Sequence, residues 1–284
     1  MSNSKKISLE SKERRLFLAV AVNVALTVAQ VIGGLVSGSL SLISDALHNF
    51  SDAASLLLAL LAVKISRKKP DLSKTFGYQR AETVAALINF TTLIIIGLFL
   101  IYEAVVRFFY PEPISGWIVV IIAAIALVID VITAMLTYKY SKKSMNIKAA
   151  FLHNMTDALA SVGVIIAGSL ILLYNWLWVD AAATFLISAY VLYQGLREIP
   201  KAIHLLMEGT PHDVSISEII SDVEQLDGVN RFYHVHVWQI NENLNALEAH
   251  IVVENNPDCA PLKEKIKKLL EQKYQIEHST LEFD

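Results

Sequence analysis

Residues 46–55 read ALHNFSDAAS and residues 151–161 read FLHNMTDALAS, and both stretches lie inside long apolar runs. Each places a His and an Asp four residues apart, His48 with Asp52 and His153 with Asp157. An ionisable group at the centre of a membrane helix costs about 2.5–3.5 kcal/mol on insertion scales and usually faces protein or a water-filled path. Four residues of α-helix advance about 6 Å and rotate about 40° past one turn, so each His and its Asp leave the same face. If the two faces meet, two imidazoles and two carboxylates converge. That is the number and kind of ligands a tetrahedral zinc ion takes, at about 2.0–2.2 Å. The alternative is that each His and Asp only hydrogen-bonds a neighbouring helix, as polar residues in membrane bundles do. Recurrence on two spans, with Asn49 and Asn154 in register and Ser51 matched by Thr156, favours the metal. The small residues Ala53, Ala54, Ala158, Ala160 and Gly163 would let two such helices approach closely.

The rest of the chain reads as a membrane protein with a soluble end. Of its 284 residues 54% are hydrophobic, above the usual soluble fraction. Six stretches, 15–37, 41–65, 84–108, 116–138, 149–174 and 177–197, reach the roughly 20 apolar residues that a bilayer requires. Basic residues set the orientation. Lys5, Lys6, Lys12, Arg14 and Arg15 precede the first span, Arg67, Lys68, Lys69, Lys74 and Arg80 join spans two and three, and Lys139, Lys142, Lys143 and Lys148 join four and five. The opposite loops, SGSLS, FYPEPISG and YNWLW, carry almost no positive charge and hold interfacial aromatics, so both termini are expected in the cytoplasm. The N-terminal apolar run is too long for a signal-peptide core and reads as a retained span.

After LREIPKAIHLLMEGTP the pattern changes, with Pro200, Gly209 and Pro211 punctuating the exit. VSISEIISDVEQL and APLKEKIKKLLEQKY have helical spacing, while RFYHVHVWQI, NALEAHIVVE and HSTLEFD alternate like strands. The expected fold is an α-helical membrane domain of six transmembrane helices over residues 1–207, followed by an α/β domain of order αββαβ over 208–284. A net charge of −3 and the lack of a basic, aromatic-interleaved face argue against nucleic acid. The single cysteine, Cys259, excludes an intramolecular disulfide and a cysteine-based zinc site.

The combined motifs resemble the cation diffusion facilitator family of metal/proton antiporters, in its zinc-transporting branch. They are SLSLISDALHNFSDA, TFGYQRAETVAALIN, FYPEPISG, AAFLHNMTDALASVGV, LMEGTP and HVWQI, spread over nearly the whole chain. The resemblance implies that His48, Asp52, His153 and Asp157 are transport-site ligands, that the protein is a homodimer in the cell (inner) membrane, and that the C-terminal domain is a cytoplasmic, metallochaperone-like dimerisation module. The sequence also departs from the family. A second loop site built from an Asp and two His falls on Asp71, Lys74 and Tyr78, where only the Asp remains, and that site is not expected. In the soluble domain Tyr233 stands where a first metal ligand would fall, with His234 beside it. His250 and Asp284 match later ligand positions, and Glu282 shares a strand face with His278 and Asp284 by alternation. A cytoplasmic zinc site from His250, Asp284 and Glu282, joined by His234, is therefore an expectation, set against a plain polar sheet face.

A zinc-ligating His must be neutral and an Asp ionised, so metal and protons compete for one site. The expected activity is export of Zn²⁺, with Cd²⁺ and Co²⁺ as further cargo, in exchange for protons, with no organic cofactor. Rival readings are an intramembrane zinc metalloenzyme and a membrane-anchored metal sensor. Against the first, no spare Glu lies beside the ligands as a general base. Against the second, an anchor has no need of two buried His–Asp pairs. Asp45 and Asp130 lie within spans and are candidates for the ion path or for packing, and Asp180 reads as a helix-start residue or a dimer contact.

Overall fold

A computed structural model describes residues 24–141, 145–241, 244–253 and 259–284; for a few of these, His153 among them, only the backbone is described. Among the described residues a shorter helix, α1 Val24–Ser37, is followed by five long ones, α2 Leu40–Ser66, α3 Ala81–Phe109, α4 Gly116–Ser141, α5 Met145–Tyr174 and α6 Trp178–Leu206. The sequence places the first span from residue 15, and its opening residues, with the basic residues before them, lie outside the described part. Among the described residues, four segments are long and apolar enough to cross a membrane: α3, Gly116–Met135, Asn154–Tyr174 and α6. Helix α2, at 27 residues, spans about 40 Å, but it buries Ser41, Ser44, Asp45, His48 and Ser51. Outward residues such as Ile95, Ile121, Leu159 and Leu186 are exposed, as an apolar solvent around the bundle allows.

The chain divides into two compact units, Met1–Leu57 with Asn89–Arg197, and Leu58–Ile88 with Glu198–Asp284. In the first, Leu42 of α2 packs with Val119 and Ala123 of α4 and Val164 of α5. A second cluster joins Leu40 and Leu47 of α2 to Ile96, Leu100 and Ala104 of α3. Helix α2 starts abruptly after Gly38, whose φ of +73° suits glycine. Its first N–H groups need acceptors, and Asp180 supplies them. The buried Asp180 carboxylate accepts from Leu40 N (2.8 Å), Ser39 Oγ (2.6 Å) and Ser41 Oγ (2.5 Å), an anion placed on a helix N-terminus. Asp180 thus begins α6 and also caps α2, the second role being one that sequence reading did not anticipate. Helices α4 and α5 approach closely at Gly168, where a Cβ would lie 2.9 Å from Val120 Cγ2 and 3.0 Å from Val119 Cγ1 of α4. At Gly163, where the sequence suggested close approach, a Cβ would meet nothing within 4 Å.

In the second unit, α7 (Ile216–Glu224), β1 (Val229–Asn241), β2 (Leu244–Val253), α8 (Cys259–Tyr274) and β3 (Ile276–Phe283) give the expected order αββαβ. The sheet order is β1-β2-β3, with β1 antiparallel and β3 parallel to β2. Ser215 caps α7, accepting from Glu218 N at 3.4 Å in an S-x-x-E box. Helix α8 buries Leu262, Ile266, Leu270 and Tyr274, one stripe at i, i+4 spacing, against Leu247, Ala249 and Ile251 of β2. The opposite sheet face is left for polar residues. Between Tyr233 and His236 the β1–β2 register shifts at a bulge, and His234 there takes a left-handed φ of +51°.

Candidate metal centre

Helix α2 carries His48 and Asp52 one turn apart, and α5 carries Asp157. His48 Nε2 lies 3.3 Å from Asp157 Oδ1 and 3.8 Å from Asp52 Oδ2. Two carboxylates from different helices thus address a single imidazole nitrogen. In a tetrahedral site with bonds of about 2.0–2.1 Å, neighbouring ligand atoms stand about 3.3–3.4 Å apart; the His48–Asp157 separation already has that value. His48 and Asp157 are buried, whereas the Asp52 side chain is 36% exposed. His153 occupies α5 one turn before Asp157, and its side chain lies outside the described part. The position facing both carboxylates can hold a proton on Nε2 or a cation, but not both, because each needs the same lone pair.

A polar network supports α2 from behind. Gln30 of α1, fully buried, donates to Asp45 Oδ2 (2.6 Å) and accepts from Asn49 Nδ2 (3.0 Å). This links one turn before His48 to the residue after it and fixes the helix face that carries the ligand. Ser44 and Ser188 pair at 3.0 Å, and Ser161 donates to Asp130 Oδ2 at 3.2 Å. Gln30 was missed at the sequence level; the available signal was an amide inside an apolar span.

In the second unit His250 lies on β2 and Glu282 on the neighbouring β3, as register partners. His250, Glu282 and Asp284 each bring a ligand atom to within 4.8 Å of the others. His250 Nδ1 lies 3.2 Å from Asp284 Oδ2, and its Nε2 lies 3.7 Å from Glu282 Oε2. His234 is beside this group and not one of the three, its ring centroid 5.3 Å from that of His250 and edge-on to it. Tyr233 donates to Asp284 Oδ2 at 2.6 Å. That bond, followed by the contact with His250, holds the Asp284 carboxyl below the usual carboxylate range.

Between α2 and α3, Asp71 is enclosed by hydrogen bonds. Its Oδ1 accepts from Ser73 N, Ser73 Oγ and Lys74 N at 2.7–2.9 Å, and its Oδ2 from Tyr78 Oη at 2.7 Å. The Ser73 and Tyr78 hydroxyls, with these N–H groups, hold its carboxyl far below the usual range. Where a loop metal site would use two His, this chain ties the carboxylate with protein donors.

Residues 16–207 match the family described as cation efflux transmembrane domain, and residues 211–284 match the cation efflux protein cytoplasmic domain. The zinc transporter ZitB of Pectobacterium atrosepticum is 37% identical over 287 residues, covering 100% of this chain and 89% of that protein. The cadmium, cobalt and zinc/H(+)-K(+) antiporter of Bacillus subtilis is 38% identical over 253 residues, covering 88% of this chain and 80% of that protein. The metal cation efflux system protein CzcD of Cupriavidus metallidurans is 34% identical over 274 residues, covering 96% and 86%. With apolar helices that address a buried imidazole with carboxylates, and similarity that runs along both domains, the chain belongs to the cation efflux, or cation diffusion facilitator, family of membrane transporters.

Proposed function

We propose that this protein exports Zn²⁺ from the cytoplasm in exchange for protons, with His48, Asp52, His153 and Asp157 as the transport ligands. The observation that carries the reading is the placement of His48 Nε2 between Asp157 Oδ1 and Asp52 Oδ2, at 3.3 and 3.8 Å. Similarity to proteins named as zinc transporter and as cadmium, cobalt and zinc/H(+)-K(+) antiporter supports the cargo and a proton among the counter-ions. Imidazole together with carboxylate suits zinc and its neighbours, whereas an all-oxygen site would favour harder ions. Coupling follows from competition: zinc needs neutral imidazole and ionised carboxylate, so each proton that arrives from the acidic side displaces metal.

On this reading residues 1–207 form the membrane domain and 208–284 the cytoplasmic domain, with both termini in the cytoplasm and the protein in the cell membrane. The working unit is a homodimer, in keeping with the match to the cation efflux cytoplasmic domain. His250, Glu282 and Asp284 form a second, cytoplasmic zinc site. The protein is a carrier and performs no bond chemistry of its own. Purified protein in sealed vesicles tests the antiport. Zinc entry should accelerate when the lumen is acidic and should alkalinise the lumen as it proceeds. Equal zinc flux with and without the gradient, and no accompanying proton movement, would rule the reading out.

A further inference from the structure

The cluster of His250, Glu282 and Asp284 has another participant that a search for metal ligands would pass over. Tyr233 on β1 is the register partner of His250 on β2, with ring centroids 5.3 Å apart. Its hydroxyl donates to Asp284 Oδ2 at 2.6 Å, the same oxygen that stands 3.2 Å from His250 Nδ1. That separation is within about 0.2 Å of the ligand-to-ligand distance in a tetrahedral zinc site. A carboxylate oxygen has two lone pairs, so Oδ2 can accept from the phenol and still coordinate a cation. The tyrosine is itself fixed, by strand pairing and by the Arg231 guanidinium 5.1 Å from its ring centroid.

We infer that Tyr233 is a positioning residue of the cytoplasmic metal site: its hydroxyl holds the Asp284 carboxylate at coordinating distance from His250 for a divalent cation of the zinc type, while the phenol itself stays outside the coordination sphere. This rests on the reading of His250, Glu282 and Asp284 as a zinc site. It also gives the Tyr at the first-ligand position a task. In this chain that position orients a ligand instead of providing one, so three protein ligands remain and a tetrahedral ion keeps one position open for water or another donor.

The test uses the full-length protein carrying His48→Ala and Asp157→Ala, which silences the transport site, titrated with zinc alone. Tyr233→Phe keeps the ring against His250 and Arg231 and removes only the hydroxyl. It should weaken zinc binding about 10- to 100-fold, the usual effect of losing a hydrogen bond to a metal ligand. Loading the protein that retains Tyr233 should produce no tyrosinate absorption, a readout that does not depend on how the Phe variant folds. Equal or tighter binding by the Phe variant overturns the inference, as does tyrosinate absorption on loading, which would make Tyr233 a ligand. Saturable binding that is absent from the background protein, or that is indifferent to His250→Ala, instead removes the cytoplasmic site and this inference with it.

Discussion

Replacing Asp157 by Asn separates a coordinating carboxylate from a merely hydrogen-bonded one. The Asp157 carboxylate stands 3.3 Å from His48 Nε2, and that of Asp52 stands 3.8 Å away. Against a tetrahedral ligand-to-ligand distance of about 3.3–3.4 Å, Asp157 is already in place, whereas Asp52 must close by about 0.4–0.5 Å. Four-ligand zinc sites in small peptides bind with roughly 10–16 kcal/mol, so one ligand of four accounts for about 2.5–4 kcal/mol. That corresponds to a loss of about two to three powers of ten in affinity. The full effect is expected at Asp157, whose carboxylate already stands at coordinating distance, and a smaller one at Asp52, which stands farther from His48 Nε2. The assay is zinc binding by purified full-length protein in competition with a chelating dye, in a His250→Ala background that removes the proposed cytoplasmic site. Unchanged affinity in Asp157→Asn, or a larger loss in Asp52→Asn, would refute the geometric reasoning.

Asp180→Ala removes the acceptor for Leu40 N and for the Ser39 and Ser41 hydroxyls at the start of α2. A lost cap together with a buried donor left unsatisfied predicts about 2–4 kcal/mol of destabilisation, read as a lower thermal unfolding midpoint in detergent; an unchanged midpoint would remove the capping role. In the soluble domain, hydrogen bonds from Lys273 and then Tyr274 lower the Asp222 pKa, and the same contact raises that of Lys273. A depressed carboxylate stabilises the fold above its unfolded value of about 3.9, and the contribution disappears as pH falls through the folded value. Asp222→Asn should therefore speed hydrogen exchange of α7 and α8 amides at pH 7, and this difference from wild type should shrink below about pH 4; a difference that persists in acid would refute it.

Much of this molecule was open to reading along the chain, and the reason is range. Helical periodicity is local, so His48 and Asp52 could be assigned to one helix face from spacing alone. Apolar length gave the long helices, and strand alternation gave αββαβ. The paired motifs even indicated which helices should meet, because a buried His–Asp pair is too costly in a bilayer without a partner. Distances between helices were a different matter. Spacing alone could not place the small-residue contact at Gly168 instead of Gly163, since which face meets a neighbour depends on the packing of all the helices.

The polar partners were equally out of reach. Asp180 caps a helix that begins 140 residues earlier in the chain, and Gln30 braces Asp45 and Asn49 from another span. The bulge that gives His234 its left-handed backbone left no turn residue in the sequence to mark it. Tyr233 looked like a lost ligand until β3 brought Asp284 within 2.6 Å of its hydroxyl. The sequence by itself determined the spacing of the His–Asp pairs, because that depends on local helix geometry and on the cost of charge in a bilayer, and its motifs carried the resemblance to the transporter family. Only the tertiary structure decided which oxygen faces which nitrogen and which donors hold it there, because hydrogen bonds across helices and strands are set by packing between residues far apart in the chain.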